Sequence, residues 1–162
     1  MVEKDLLKTI VFLQDLPEPM LEKISLNTQI QMFKSQTVLF EKNQALKQLY
    51  MLASGVVHLT IRTASGENLI LDKVTPGRTF GIAALMKESS TSFSAMCAED
   101  SSIITFSSEK IHQLFVEDFK MGHKLMSHIV KLFKDRMERH TSQFLHYLAM
   151  HPEIKKLQEN SF

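Results

Sequence analysis

The hydrophobic pattern of this chain changes period twice, and few folds accommodate both changes. Near the start, Leu6, Leu7, Ile10, Val11 and Leu13 recur at three and four residues, which gives one apolar helical face. Pro17 ends that pattern. Pro19, Met20, Leu21 and Ile24 then support a second short helix, with proline near its first turn where a missing N–H costs little. From Thr28 to Ser107 the period falls to two, in short runs of Val, Ile, Leu, Phe and Thr separated by Gly, Ser, Asn and Asp. The clearest hairpin joins Val56 to Thr63 with Asn68 to Val74 through ASGE, where Gly66 can take a positive φ; Val57, Leu59 and Ile61 would face inward. Helical spacing returns at SSEKIHQLF, with Ser107 or Ser108 as the cap. It continues without proline from about Met121 to Met150, a helix of roughly 30 residues and ~45 Å. Pro152 stops it, leaving the polar tail EIKKLQENSF.

The expected architecture is therefore mainly β with flanking helices. Residues 1–120 form the strand-rich body with its entry helices, 121–150 the long C-terminal helix and 151–162 a short tail. A length of 162 residues suits one domain with an appended element, and 44% hydrophobic residues can fill a core. The net charge of +1 supplies no long-range field for nucleic acid or an anionic membrane. The single cysteine, Cys97, excludes an internal disulfide framework and fits a reducing compartment. The N-terminus lacks the uninterrupted apolar stretch of a signal peptide, and no run approaches ~18 apolar residues, so the expected address is the cytoplasm.

Helix pair, many short strands, short helix and long helix, in that order, resemble the cyclic-nucleotide-binding domain over about Leu6 to Leu148. FLQDLPEPMLEKIS is similar to the family's entry segment, and VLFEKNQALKQLYMLASGVVHL to its paired strands around a Ser54-Gly55 turn. SGENLILDKVTPGRTFGIAALM is similar to its central hairpin and ligand-binding loop. The resemblance implies a jelly-roll-like β-roll, or double-stranded β-helix. It also implies a regulatory rather than catalytic role, with a last helix that often pairs with its twin across a dimer axis.

In that family a glycine and glutamate open the ligand segment, and about ten residues later comes an arginine followed by Ser or Thr and Ala. A short helix's N–H groups and the arginine hold the cyclic phosphate, and the glutamate takes the ribose hydroxyl. Here Gly77, Phe80, Gly81, Ala84, Leu85, Ser94 and Ala95 sit where the pattern asks, with Ala83 between them. Ile82 stands in place of the glutamate and Phe93 in place of the arginine. Losing one charge-assisted partner costs ~2–5 kcal/mol, or about 30-fold to several thousand-fold in affinity, so cAMP and cGMP are expected to bind weakly or undetectably. Arg78 and Lys87 are possible substitute phosphate contacts, or two solvent-facing cations flanking a turn. Ile82 and Phe93 either fill the old pocket as core or line a reshaped apolar pocket for another ligand.

Five of the seven histidines fall on or just after the long helix, but His123 and His128 lie about 140° apart around it, which does not make a ligand pair. Solvated or interface positions are the default for these histidines, with intersubunit ligation or a single axial haem ligand as the alternative; no metal site is assigned, and a cyclic nucleotide is the one cofactor left open. Leu125, Met126, Ile129, Phe133, Met137, His140, Phe144 and Tyr147 include too much aromatic area to leave wet, and a homodimer through this helix is the leading use for it. The other use is packing along its own roll. In the transcription-factor branch a helix-turn-helix domain follows, but some eleven residues after His151 are too few for one, so no direct DNA reading is expected. No nucleophile elbow, phosphate loop or His-Glu-x-x-His occurs, and no catalytic residue is assigned. Two functions remain open: a sensor module that takes a small ligand and signals through its last helix, or a degenerate roll with a filled pocket that acts as a dimeric protein-interaction domain.

Overall fold

The computed structural model describes residues 1–86 and 90–151; Lys87 and the tail from Pro152 lie outside the described residues. The entry segment is α1 (Lys4–Lys8), a 3-10 turn (Val11–Leu13) and α2 (Glu18–Asn27). The apolar spacing of Leu6 to Leu13 suggests one continuous helix, but Thr9 closes α1 by hydrogen bonding its hydroxyl to the Leu6 carbonyl at 2.7 Å. The Val11 N–H then leaves the helical ladder for the Gly77 carbonyl at 2.9 Å, tying the entry segment to a later turn.

Eight strands follow: β1 (Thr28–Phe33), β2 (Val38–Phe40), β3 (Gln48–Ser54), β4 (Val57–Arg62), β5 (Asn68–Val74), β6 (Thr79–Phe80), β7 (Ser94–Cys97) and β8 (Ser101–Ser107). They make two four-stranded antiparallel sheets, ordered β1-β8-β3-β6 and β2-β7-β4-β5. Because side chains alternate, each strand of the first sheet serves two layers. Leu52 and Ile103 face the roll interior, where they join Phe40, Val57, Leu59, Val74, Phe80, Ala95 and Cys97. Leu49, Met51, Ile104 and Phe106 point to the other side and are equally buried, which requires a second layer. The buried faces of the flanking helices supply it: Leu7, Leu21 and Ile24 from the entry pair, Ile111 and Leu114 from α3 (Ser108–Glu117). The Cys97 thiol is buried and free, and burial pushes its pKa up, so it behaves as a small hydrophobe.

Turn chemistry sets the register. Gly55, at φ +90°, joins β3 to β4 so closely that a Cβ there would fall 2.4 Å from Ser101 Oγ and 2.6 Å from the Asp100 carbonyl. Gly66, at φ +87°, closes the β4–β5 hairpin, and its carbonyl accepts from Arg62 Nε at 3.2 Å. Ser107 is the cap of α3, its hydroxyl accepting from the Lys110 N–H. α4 (Phe119–Met150) begins at Asp118, whose carboxylate accepts from the Met121 N–H at 3.0 Å and from Lys23 Nζ at 2.7 Å. The chain divides into a unit Met1–Leu125 and a second that starts at Met126. Among the described residues, no helix is long and apolar enough to cross a membrane.

Two outcomes follow from these contacts. Gly55→Ala should cost roughly 2–4 kcal/mol, since it adds left-handed strain to a backbone clash, and should lower the melting temperature by about 5–15 °C in a calorimetric scan. Asp118 is held below the ordinary carboxylate value by the Lys23 hydrogen bond first and the Met121 N–H second. A depressed folded-state pKa stabilises above the unfolded value near ~4 and is lost as pH falls through the folded value. Asp118→Asn keeps a capping side chain but removes the charge, so it should melt below wild type at pH 7, with the gap closing as pH approaches 3.

Candidate ligand-binding site

The segment after β5 approaches the roll through Gly77 and Arg78. Arg78 does not project as a free cation: one guanidinium nitrogen donates to the Lys73 carbonyl at 3.1 Å and another lies 3.7 Å from Asp72 Oδ2, with the pair mostly buried. β6 then delivers Phe80 into the interior, and Gly81 turns the chain at φ +73°, ψ +31° into a 3-10 helix over Ile82–Leu85. Glycine is needed there for space as well as for φ, because a Cβ would meet Tyr50 Cδ2 at 2.8 Å. Ile82 and Ala84 are buried, while Ala83 and Leu85 are half-buried. The helix end is bound by α3: Ser108 donates its hydroxyl to the Ala84 carbonyl at 2.5 Å, and His112 Nε2 lies 3.2 Å from the Leu85 carbonyl.

The second segment runs through Phe93, Ser94 and Ala95. Ala95 is buried in the interior cluster and pairs with Leu59 and Phe40. The Ser94 hydroxyl accepts from the Lys42 N–H at 3.0 Å. Around it, the loop after β2 is fastened by Asn43 N–H to the Thr91 carbonyl at 2.7 Å and Thr91 N–H to the Gln44 carbonyl at 2.9 Å. Thr91 Oγ1 also donates to the Phe93 carbonyl at 2.9 Å, which fixes where the Phe93 ring emerges.

That ring joins an aromatic cluster. Phe93 packs on Phe40 with centroids 6.4 Å apart, Phe40 lies 5.6 Å from Tyr50 and 6.2 Å from Phe80, and Tyr50 stacks on Phe80 at 5.2 Å. Burial pushes the Tyr50 phenol up, so it stays neutral. From Thr79 to Met86 and from Ser90 to Ala95 no residue carries a charge. The structure thus sets Gly81 beside Tyr50 and puts Phe93 and Ala95 on the interior cluster, which is furnished with rings, whereas Ile82 and Ala84 are buried outside that cluster, on the segment held by α3. Tyr50, Phe40, Ser108 and His112 are contributors that motif reading missed. For Tyr50 a signal existed, since it shares strand parity with Leu52; for the α3 pair there was none. Among the described residues no group of three or more His, Cys, Asp or Glu could hold a metal ion.

The unit that starts at Met126 is helical to Met150, with Lys134 and Glu138 paired at 2.7 Å. Leu125, at the end of the first unit, is 1% exposed and Ile129 is 5% exposed, so neither is among the exposed residues of the stripe. Met126, Val130, Phe133, Met137, Phe144 and Tyr147 are 46–66% exposed. With His140, which is also exposed, these seven residues follow an alternating four-three spacing, the a and d positions of a heptad.

Comparisons place this geometry. No match was found among curated proteins. Solved structures match well: a Geobacter metallireducens GS-15 protein named for cyclic-nucleotide binding superposes with a TM-score of 0.74 at 21% identity, covering 85% of this chain and 99% of that one. The Thermus thermophilus catabolite activator protein gives 0.70 at 22% identity over 86% of this chain; the match spans only 63% of the Thermus protein. The sensor domain of the Pseudomonas aeruginosa transcriptional regulator DNR gives 0.67 at 17% identity, covering 83% and 91%. At such identities these likenesses establish the fold, a jelly-roll β-roll with short entry helices and a long last helix. The family model for the cyclic nucleotide-binding domain matches residues 30–118, more than half of the chain. The chain belongs to the cyclic nucleotide-binding domain family.

Proposed function

We propose that this chain is a regulatory module whose roll does not take cAMP or cGMP by charged contacts and which acts as a dimeric protein-interaction domain through α4. The observation that carries this reading is the Phe93 ring, seated on Phe40 where the family pattern has its arginine. The Ser94 hydroxyl beside it is engaged by the Lys42 N–H, and Arg78 is engaged by Asp72 and the Lys73 carbonyl. A cyclic phosphate entering here would lose its hydration and gain no counter-charge from these groups, a cost several kcal/mol too large for tight binding. A second reading has one observation in its favour: Tyr50 and Phe93 are only partly buried, which leaves ring surface for an uncharged, flat ligand to stack upon. The seam from Met126 to Tyr147 is the support for dimerisation, because its exposed apolar heptad would be covered by a parallel twin helix over about 32 Å.

Calorimetry of the whole chain should show no saturable binding of cAMP or cGMP up to about 1 mM. Sub-micromolar binding of either would sink the pocket reading. Phe93→Arg, alone and with Ile82→Glu, should bring at least a tenfold gain in cyclic-nucleotide affinity if the loop backbone still presents its N–H groups. A folded variant without that gain would show that the loop geometry itself has diverged. For the seam, Phe133→Asp should weaken self-association at least ~30-fold in sedimentation equilibrium, since it places a carboxylate where an aromatic ring is buried. Unchanged association would remove α4 as the dimer contact.

A further inference from the structure

Among the described residues, a different surface, in the unit Met1–Leu125, also lacks a cover. β5 is the outermost strand of its sheet, and three consecutive apolar residues on it are exposed: Leu69 at 52%, Ile70 at 51% and Leu71 at 38%. In a regular strand one neighbour in two would turn inward. Here Leu59 pairs with Asp72 and Thr60 with Ile70, so Leu71 is an extra residue in a bulge, and the alternation that would hide half of the triplet is lost. A bare edge that is apolar along its length is a template for another strand.

We propose that β5 pairs antiparallel with β5 of a second copy of this chain, across a two-fold axis at Ile70. Charge and hydropathy single out that register. Centred on Ile70, Leu69 meets Leu71 of the second copy, Asn68 meets Asp72, and Glu67 meets Lys73, so every apolar residue faces an apolar one and the flanking charges are opposite. Shifting the centre to Leu71 sets Leu69 against Lys73 and Ile70 against Asp72. Moving it half a residue the other way sets Glu67 against Asp72. The two charges that the favoured register uses are available: among the described residues neither Glu67 nor Lys73 has an ion-pair partner, whereas Asp72 is engaged by Arg78. A two-fold axis uses each complementary pair twice, which a heterologous strand would not. The paired stretch, Glu67 to Lys73, spans about 23 Å, a small contact of the weak class when it acts alone. It lies in the unit Met1–Leu125 and the α4 seam in the unit that starts at Met126; acting on different partners, the two contacts would join dimers into larger assemblies.

Sedimentation velocity on the full chain from about 1 µM to several hundred micromolar tests this. The weight-average mass should climb with concentration beyond the species set by α4, and in the Phe133→Asp background it should climb from monomer toward dimer. Ile70→Lys should stop the climb in both backgrounds without altering the melting curve, since the side chain is half exposed. Glu67→Lys alone, or Lys73→Glu alone, should weaken association about 2- to 30-fold, and Glu67→Lys with Lys73→Glu should restore it. Loss in both single reversals with rescue in the double would establish the pairing and its register. A mass that does not climb, that climbs equally with Ile70→Lys, or that the double reversal fails to restore would overturn the proposal. Failure of the α4 reading shows separately, as insensitivity to Phe133→Asp at low concentration.

Discussion

The stack of Tyr50 on Phe80 organises the interior of the roll. It exists because β3 and β6 pair Tyr50 with Phe80 directly, and because Gly81 has no side chain to push the tyrosine ring away. Phe40 from the other sheet closes on both rings, and Phe93 closes on Phe40. Two sheets and the motif segment thus meet in a single apolar contact. Each ring buries a large area, and the edge-tilted neighbours add attraction beyond area alone. An arginine at position 93 would need a phosphate, a carboxylate or water for company; a phenylalanine needs only Phe40. A ring at that position packs within the chain and brings no charge to be neutralised.

The same economy holds for the polar groups around it. The serine hydroxyl that the family motif places near a phosphate is used here to fasten the loop after β2, and the cation nearest the glycine turn is used to brace β5. Arg78 is held within the chain, so recruiting it for a ligand means breaking an existing contact first, and the Ser94 oxygen is already used as an acceptor. A site can keep its backbone path and its small residues while its hydrogen-bonding capacity is redirected inward.

Much of this was legible from the sequence. The change in period marked the strand block, Gly66 marked the β4–β5 hairpin, Ser107 marked the start of α3, and the glycines and alanines of the motif marked the turn at Gly81. What escaped was whatever depends on contacts distant in sequence. Thr9 ends α1 by a local hydrogen bond, but the next N–H binds Gly77, which no local pattern announces. The β5 bulge at Leu71 likewise arises from pairing with β4, so the run Leu69-Ile70-Leu71 in the sequence does not announce that all three are left uncovered. The register of the α4 seam was only half visible, because spacing alone does not separate Ile129, which is buried, from Val130, which is exposed.

The attachment of the 3-10 helix to α3 has a mechanical side. Two consecutive carbonyls, Ala84 and Leu85, face two side chains one helical turn apart: the Ser108 hydroxyl donates to the first, and the His112 ring, with Nδ1 2.7 Å from the Ser108 carbonyl, sets its Nε2 3.2 Å from the second. A single bond would act as a pivot, about which the short helix could swing. A ring seated at a second point opposes that rotation, so the segment that turns at Gly81 is coupled to the first turn of α3.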